Sequence, residues 1–399
     1  MTPKQRVEIA LRGGRPDCVP LVPIYDIGYV MSSLGRDLRE YPTHTADERI
    51  RVIEQSFLLH NVDGFFVHAG TNDDWANTHT VEKRPDYWLV TDKATGEQYR
   101  LLPDGWMAKA DGTAIPRSPS AGGVSQIQSE ADIERLVPRP ATEHEAEASG
   151  RFGPLRHLAR KYPDRHFSFQ SGSPMVFALN ACGGYQEGLL TMATDRPLYR
   201  RLLERHAGIQ CALLAPGRKA GGDSTWFTSY YTGADTISPR DYAELVFPFD
   251  YQVCRAAKDA GLFVLHWFLG DLMPILDKVM DLPQDALVLE QGRKGYEIDP
   301  VAIRQRVGPS FCLFGFGFEN DYCTFNRPRL SAELKRQIEG AGRDGAFVVG
   351  TPIMPPNARA EAVDFYFAEA RRIGKYDDHE DAKEEKKKGS PRTSTKRHE

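Results

Sequence analysis

The chain has too little of several things to belong to whole classes of protein. Its six cysteines, Cys18, Cys182, Cys211, Cys254, Cys312 and Cys323, are scattered through 399 residues with no C-x-x-C pair. That spacing excludes a dense disulfide framework and points to a reducing, cytoplasmic setting. No stretch approaches the roughly 18 uninterrupted apolar residues of a membrane span. The amino terminus MTPKQRVEIALRGG reads as an amphipathic helix, not as a charged segment before an apolar signal core, so no export signal is expected. Neither sign of charge dominates. Lysine and arginine number 51 against 55 acids, and the formal net charge of -4 gives nucleic acid or an anionic membrane no general attraction. There is no P-loop, H-E-x-x-H or G-x-S-x-G, and GFGFEN at 315–320 is not a dinucleotide fingerprint.

What the chain does have is order. Short apolar or β-branched runs recur at 19–23, 62–69, 166–170, 224–230, 262–268, 286–291, 311–316 and 345–350. Each is bounded by polar or glycine-containing loops, and most gaps hold helical patterns. Helix starts are visible at Thr45 with Glu48 as a capping box, at Ser238 before Pro239, and at Asn357. Runs apolar on both faces, alternating with helices, indicate parallel strands covered by helices. Eight such units over residues 1–376 predict one α/β domain, a closed (β/α)8 TIM barrel, with an open doubly wound sheet as the alternative. Residues 72–165 interrupt the repeat as a long insertion after the second strand. Within it, KATG between alternating runs signals a β-hairpin flap over one rim. The tail 377–399 has dense mixed charge and no apolar periodicity, so disorder is expected there.

In such a barrel, function belongs to the carboxyl ends of the strands. His266 lies at the exit of the fifth run, GLFVLHWFLGD, Glu290 at the end of the sixth, and Glu319 with Asn320 beyond the seventh. Tyr25 follows the first run, His68, Asn72 and Asp73 the second, Gln170 the third, and Tyr230 and Tyr231 the fourth; Trp267 adjoins His266. Converging polar and aromatic groups mark a site for a flat or aromatic small molecule. Plainer roles stand beside each. A histidine in an apolar strand is commonly a satisfied core residue, Glu290 and Glu319 suit caps, and His68 and Asp73 suit anchors for the insertion.

The order and spacing of RVEIALRGGRPDCVPLVP, SSLGRDLREY, VDGFF, DTISPRDYAELVFPFD, GLFVLHWFLGD and GTPIMPPNARAEAVDFYFAEA resemble the uroporphyrinogen decarboxylase superfamily over most of residues 1–376. The resemblance is nearer to its corrinoid-linked methyltransferases than to the heme-pathway decarboxylases. It implies a (β/α)8 barrel. It also implies, for the methyltransferase branch, zinc held by a histidine, a cysteine two residues later and a cysteine at the last strand's end. Here His266 and Glu290 would be the metal ligands, while the cysteine positions read Phe268 and Thr351; Cys323 or Glu319 would have to complete a different site.

The decarboxylase branch implies an arginine-rich segment, R-Q-A-G-R-Y, after the first strand, where this chain has IYDIGYVMSSLGRDLREY, with Arg36 and Arg39 further on. Asp73 or Asp74 falls near that branch's aspartate. Three functions follow as expectations. The first is a methyltransferase or demethylase acting on a small methylated or methoxylated aromatic compound. Its methyl carrier would be a corrinoid protein or tetrahydrofolate, with His266, Glu290, Glu319 and Asp73 catalytic and the remaining strand-end residues binding substrate. The second is decarboxylation of a porphyrinogen or other aromatic acid. The third is a metal-less barrel that only binds.

Overall fold

The computed structural model describes residues 1–113, 127–292 and 295–376. Its strands, in chain order, are β1 (Gly64–Phe66), β2 (His79–Lys83), β3 (Trp88–Asp92), β4 (Gln98–Leu101), β5 (Met107–Lys109), β6 (His166–Gly172), β7 (Ser224–Tyr230), β8 (Phe263–Leu269), β9 (Ala286–Val288), β10 (Cys312–Gly315) and β11 (Phe347–Val349). Seven form one parallel sheet in the order β1-β6-β7-β8-β9-β10-β11. Spatial order follows chain order without reversal, which excludes the doubly wound alternative, since that fold reverses at a switch point.

The first apolar run forms no strand of its own, yet it touches both edges of the sheet. Asp63 N–H donates to Leu21 O (2.9 Å) on the β1 side, and Val22 N–H donates to Val349 O (3.0 Å) on the β11 side. Below it, the buried Asp63 carboxylate accepts from Leu21 N–H (2.8 Å) and pairs with Arg371 (2.6 Å) and Arg6 (3.2 Å).

Alternation along each strand separates two cores. Inward side chains, including Phe66, Trp226, Leu265, Trp267, Val288 and Phe314, pack together, and Val7, Ala10 and Leu11 of the helix Pro3–Leu11 close the amino end of that core. Outward side chains such as Phe167, Phe227, Val264, Leu287 and Phe347 pack under the helices. Each fully buried aliphatic or aromatic side chain contributes about 1.5–3 kcal/mol, so both layers weigh in stability.

Between β1 and β6 the chain forms a separate antiparallel sheet, β2-β3-β4-β5. The turn read at KATG joins β3 to β4, so the expected hairpin is part of a four-stranded meander. Arg39 lies over the Trp88 ring at 5.2 Å and ties this sheet to the segment after the first run. The helix starts at Thr45 and Ser238 are as expected, with Glu48 N–H on Thr45 Oγ1 (3.3 Å) and Asp241 N–H on Ser238 Oγ (3.0 Å). The last helix begins later than Asn357: it spans Ala360–Ile373 after Arg359, which makes no side-chain cap. The tail 377–399 lies outside the described residues.

Candidate functional site

Strand parity decides which expected residues meet. On β8 the inward positions are Leu265, Trp267 and Leu269, and the outward ones are Val264, His266 and Phe268. His266 is therefore under the helices, 0% exposed, edge-on to Phe227 (5.1 Å) and Phe268 (5.6 Å). Its Nδ1–H donates to Gln284 Oε1 (2.7 Å), whose amide is oriented by donation to Val279 O, and its Nε2 accepts from Ser229 Oγ (3.0 Å). Both nitrogens are used, and burial pulls the pKa down to about 4, which keeps the ring neutral. The expectation that His266 opens into the mouth is thus corrected: it is a satisfied core histidine, displaced by one residue from the inward face.

Tyr25 is corrected for the same reason. Ile24 points inward, while the Tyr25 ring is buried outward against Tyr29 (5.2 Å) and Phe65 (5.9 Å); only its carbonyl serves the mouth, accepting from His68 Nε2–H (2.7 Å). Asn72 and Asp73 hold their own loop. Asn72 donates to Asp74 (2.5 Å), and Asp73 Oδ1 accepts from Ala46 N–H (2.7 Å) at the start of the helix Ala46–Leu58. Glu319 and Asn320 open the short helix Glu319–Thr324 on the rim, where Glu319 N–H donates to Gln291 Oε1 (3.1 Å).

The structure does bring together His68, Gln170, Tyr230, Trp267 and Glu290, all on the inward parity at the carboxyl end of the sheet. Glu290 is 4% exposed, and its carboxylate accepts from Ile353 N–H (3.0 Å) in the loop after β11, reaching past the end of β10. The floor beneath is aromatic: Trp226 lies edge-on to Phe66 (5.6 Å), Trp267 (6.1 Å) and Phe314 (5.9 Å). Nε1 of Trp226, Nε1 of Trp267 and Oγ1 of Thr228 are buried without a hydrogen-bond partner among the described residues. Such groups cost about 1–3 kcal/mol each unless something pairs with them. Tyr231, at φ +67°, is 38% exposed on the rim and packs against Tyr230 (5.6 Å) and Tyr185 (5.1 Å). His68, its Nε2–H tied to the Tyr25 carbonyl, has its pKa lowered by burial and faces a cleft that also holds Gln170 and Arg151. Arg151 and Thr228 were not among the expected binding residues.

The zinc site implied by the resemblance does not fit. His266 and Glu290 lie on opposite faces of neighbouring strands, and the Thr351 hydroxyl is bonded to Ile24 N–H (3.1 Å) and O (3.2 Å). Among the described residues, no group of three or more His, Cys, Asp or Glu is arranged to hold a metal ion. Nor is any helix among the described residues long and apolar enough to cross a membrane.

A parallel α/β sheet whose inward side chains converge at its carboxyl end defines a protein with its site on strand-end loops. The chain belongs to the uroporphyrinogen decarboxylase family, whose model, Uroporphyrinogen decarboxylase (URO-D), matches residues 121–372, more than half of the sequence. Among solved structures it is similar to a methyltransferase from Methanosarcina mazei, at 14% identity and TM-score 0.63, covering 94% of this chain and 99% of that one. That likeness shows a shared fold. It is also similar to a B12-independent methionine synthase from Shewanella sp. W3-18-1, at 9% identity and TM-score 0.44, covering 85% of this chain and 88% of that one. No curated protein matches the sequence.

Proposed function

We propose that the protein is a methyltransferase or demethylase of this family, acting on a small methylated or methoxylated aromatic compound with a corrinoid protein or tetrahydrofolate as methyl carrier. The segment 20–22, bonded to both sheet edges, completes the proposed (β/α)8 barrel. The observation that carries the reading is the inward ring at the mouth: the buried Glu290 carboxyl above an aromatic floor with two unpartnered indole N–H groups. A flat substrate suits that floor, and the Tyr185, Tyr230 and Tyr231 rim offers a second flat surface for the carrier.

The carrier supplies the nucleophile. The CH3–O bond breaks as the CH3–nucleophile bond forms, and the aryl oxygen leaves as phenolate and takes a proton. Glu290 is placed to manage that proton, and Gln170 and Tyr230 to orient the ring; little else is required of a reaction that gains mainly from positioning. No step runs through His266 or through zinc. Porphyrinogen decarboxylation is the poorer reading. The two arginines after the first strand are committed to their own neighbours, Arg36 to Glu40 (2.7 Å) and Arg39 to Asp37 (2.5 Å), which leaves no clamp there for several carboxylates.

Purified protein incubated with isotope-labelled para-methoxybenzoate and either tetrahydrofolate or reduced cobalamin should move the label to the carrier, followed by mass spectrometry. Carboxyl-label release as carbon dioxide without methyl movement would replace this reading with decarboxylation. Binding with no turnover of any kind would replace it with a non-catalytic barrel.

A further inference from the structure

One side of the mouth carries rings and acids but no fixed cation. The loops after β6, β7 and β8, residues 173–184, 231–238 and 270–275, contain Asp235 and Asp271 and no lysine or arginine. The last two loops interlock. Tyr230 stands beside Leu269 in register at the strand ends, Ala234 N–H donates to Asp271 O (3.0 Å), and Asp271 N–H donates to Asp235 Oδ1 (2.8 Å). A Cβ on Gly233 would collide with that Asp235 oxygen and with Asp271 N, so only glycine lets the loops meet. Asp271 thus lies two residues beyond the end of β8, alongside the turn that carries Tyr231.

The rings at this rim are reachable. Tyr230 is half-buried and Tyr231 is exposed, so a substituent on a bound molecule meets them without displacing packed core. Tyr231 is held at φ +67°, an unfavourable backbone for a residue with a Cβ, and its ring stands nearly perpendicular to Tyr230 (85°), turning ring faces into two planes. Asp271 is as unusual. Half-buried acids elsewhere in the chain are engaged: Asp285 by Lys258 (2.7 Å) and Val264 N–H (2.7 Å), and Glu54 by Tyr162 (2.8 Å) and Lys161 (2.6 Å). Asp271 is half-buried too, yet its carboxylate has no hydrogen bond or ion pair among the described residues. Further round the mouth stand Glu290 and Glu319, with Arg293 and Lys294 of the β9–β10 segment outside the described residues. Ring faces are negative at their centres, and a nearby carboxylate adds a full charge of the same sign. A methylated ammonium group suits such a place: it is weakly hydrated, and a quaternary one has no N–H that must find an acceptor.

We propose that Tyr230, Tyr231 and Asp271 form a cation subsite, so that the substrate class of this site is small aromatic compounds carrying a methylated ammonium group toward the β7 and β8 ends. The inference rests on the small-aromatic-substrate reading above. Tyr185 follows β6 along the chain, so the subsite leaves that side of the rim to the carrier.

The test reads binding, not turnover. Calorimetric titration would compare meta-hydroxyphenyltrimethylammonium with its neutral isostere meta-tert-butylphenol in wild type, Asp271→Asn, Tyr231→Leu and Tyr231→Phe. Wild type should bind the cation at least about fivefold tighter than the isostere. Asp271→Asn and Tyr231→Leu should each remove at least half of that preference, and Tyr231→Phe, which keeps the ring face, should retain it. Unliganded Asp271→Asn should melt within a few degrees of wild type, because its carboxylate holds nothing in place. Equal binding of cation and isostere, no binding of the cation, a preference unchanged in Asp271→Asn or Tyr231→Leu, or a clearly lower melting temperature of Asp271→Asn would each overturn the subsite. Methyl transfer without cation preference would leave the proposed function standing and remove only this inference. Cation preference without methyl movement from either a methoxy or an N-methyl group would do the reverse.

Discussion

Replacing His266 by glutamine tests whether this ring is a core group or part of the chemistry. In the folded protein its pKa falls from the ordinary 6.5 to about 4, because burial penalises the imidazolium. Below pH 6.5 the unfolded chain therefore binds a proton that the folded chain refuses, and stability falls as the pH falls. Above 6.5 both states are neutral and the group contributes no pH dependence. Every tenfold loss of proton affinity on folding corresponds to about 1.4 kcal/mol, so the whole window amounts to roughly 3 kcal/mol. His266→Gln lacks this loss. The stability difference between wild type and variant should hence be largest at neutral pH and shrink by roughly 3 kcal/mol on going down to about pH 4, as read by urea unfolding at a series of pH values. Other titrating groups are common to both proteins and drop out of the difference. A pH-independent gap would mean that His266 titrates like a solvated histidine, and the placement of its ring under the helices would be wrong.

Three further outcomes follow from the same contacts. Asp63→Asn should cost about 3–5 kcal/mol in chemical denaturation, because it takes from Arg371 its carboxylate partner and weakens the acceptor for Leu21 N–H, while Arg6 keeps its pair with Asp17 (2.6 Å); a loss under about 1 kcal/mol would refute that role. Gly150→Ala should cost about 1–3 kcal/mol, since its positive φ and the Thr71 carbonyl leave no room for a Cβ; unchanged stability would contradict it. Asp250, accepting from Ser173 at one oxygen, has its pKa raised from 3.8 to about 8 by burial. Its folded carboxyl stays protonated while the unfolded one ionises, so wild type loses stability as pH rises through that window. Asp250→Asn should gain on wild type over the same range, and a flat difference would be the contrary result.

The apolar runs located the parallel strands, because runs of four to eight residues buried on both faces have few other uses. Family membership was legible too, carried by the order of several modest motifs. What those runs could not carry was parity. GLFVLHWFLGD is apolar at nearly every position, so nothing in it separates the inward Trp267 from the outward His266, and a shift of one residue exchanges the faces. Tyr25 and Ile24 pose the same ambiguity. Glu290 and Gln170 were readable as polar groups at the ends of such runs, and both take the inward parity. Arg151 was missed for a different reason: it comes from the stretch between β1 and β6, far along the chain from the strand ends it joins. Its one local signal is the pair Gly150 and Gly153 around Arg151 and Phe152, and the collision that makes Gly150 necessary involves Thr71, which no local pattern reveals.

The most direct test of the account is to measure labelled methyl transfer side by side in wild type, Glu290→Gln and His266→Gln, at a temperature where all three remain folded. Inward Glu290 and outward His266 predict that Glu290→Gln loses about a hundredfold or more while His266→Gln stays near wild type. A folded His266→Gln without activity beside an active Glu290→Gln would contradict the site and return the chemistry to the other face of β8.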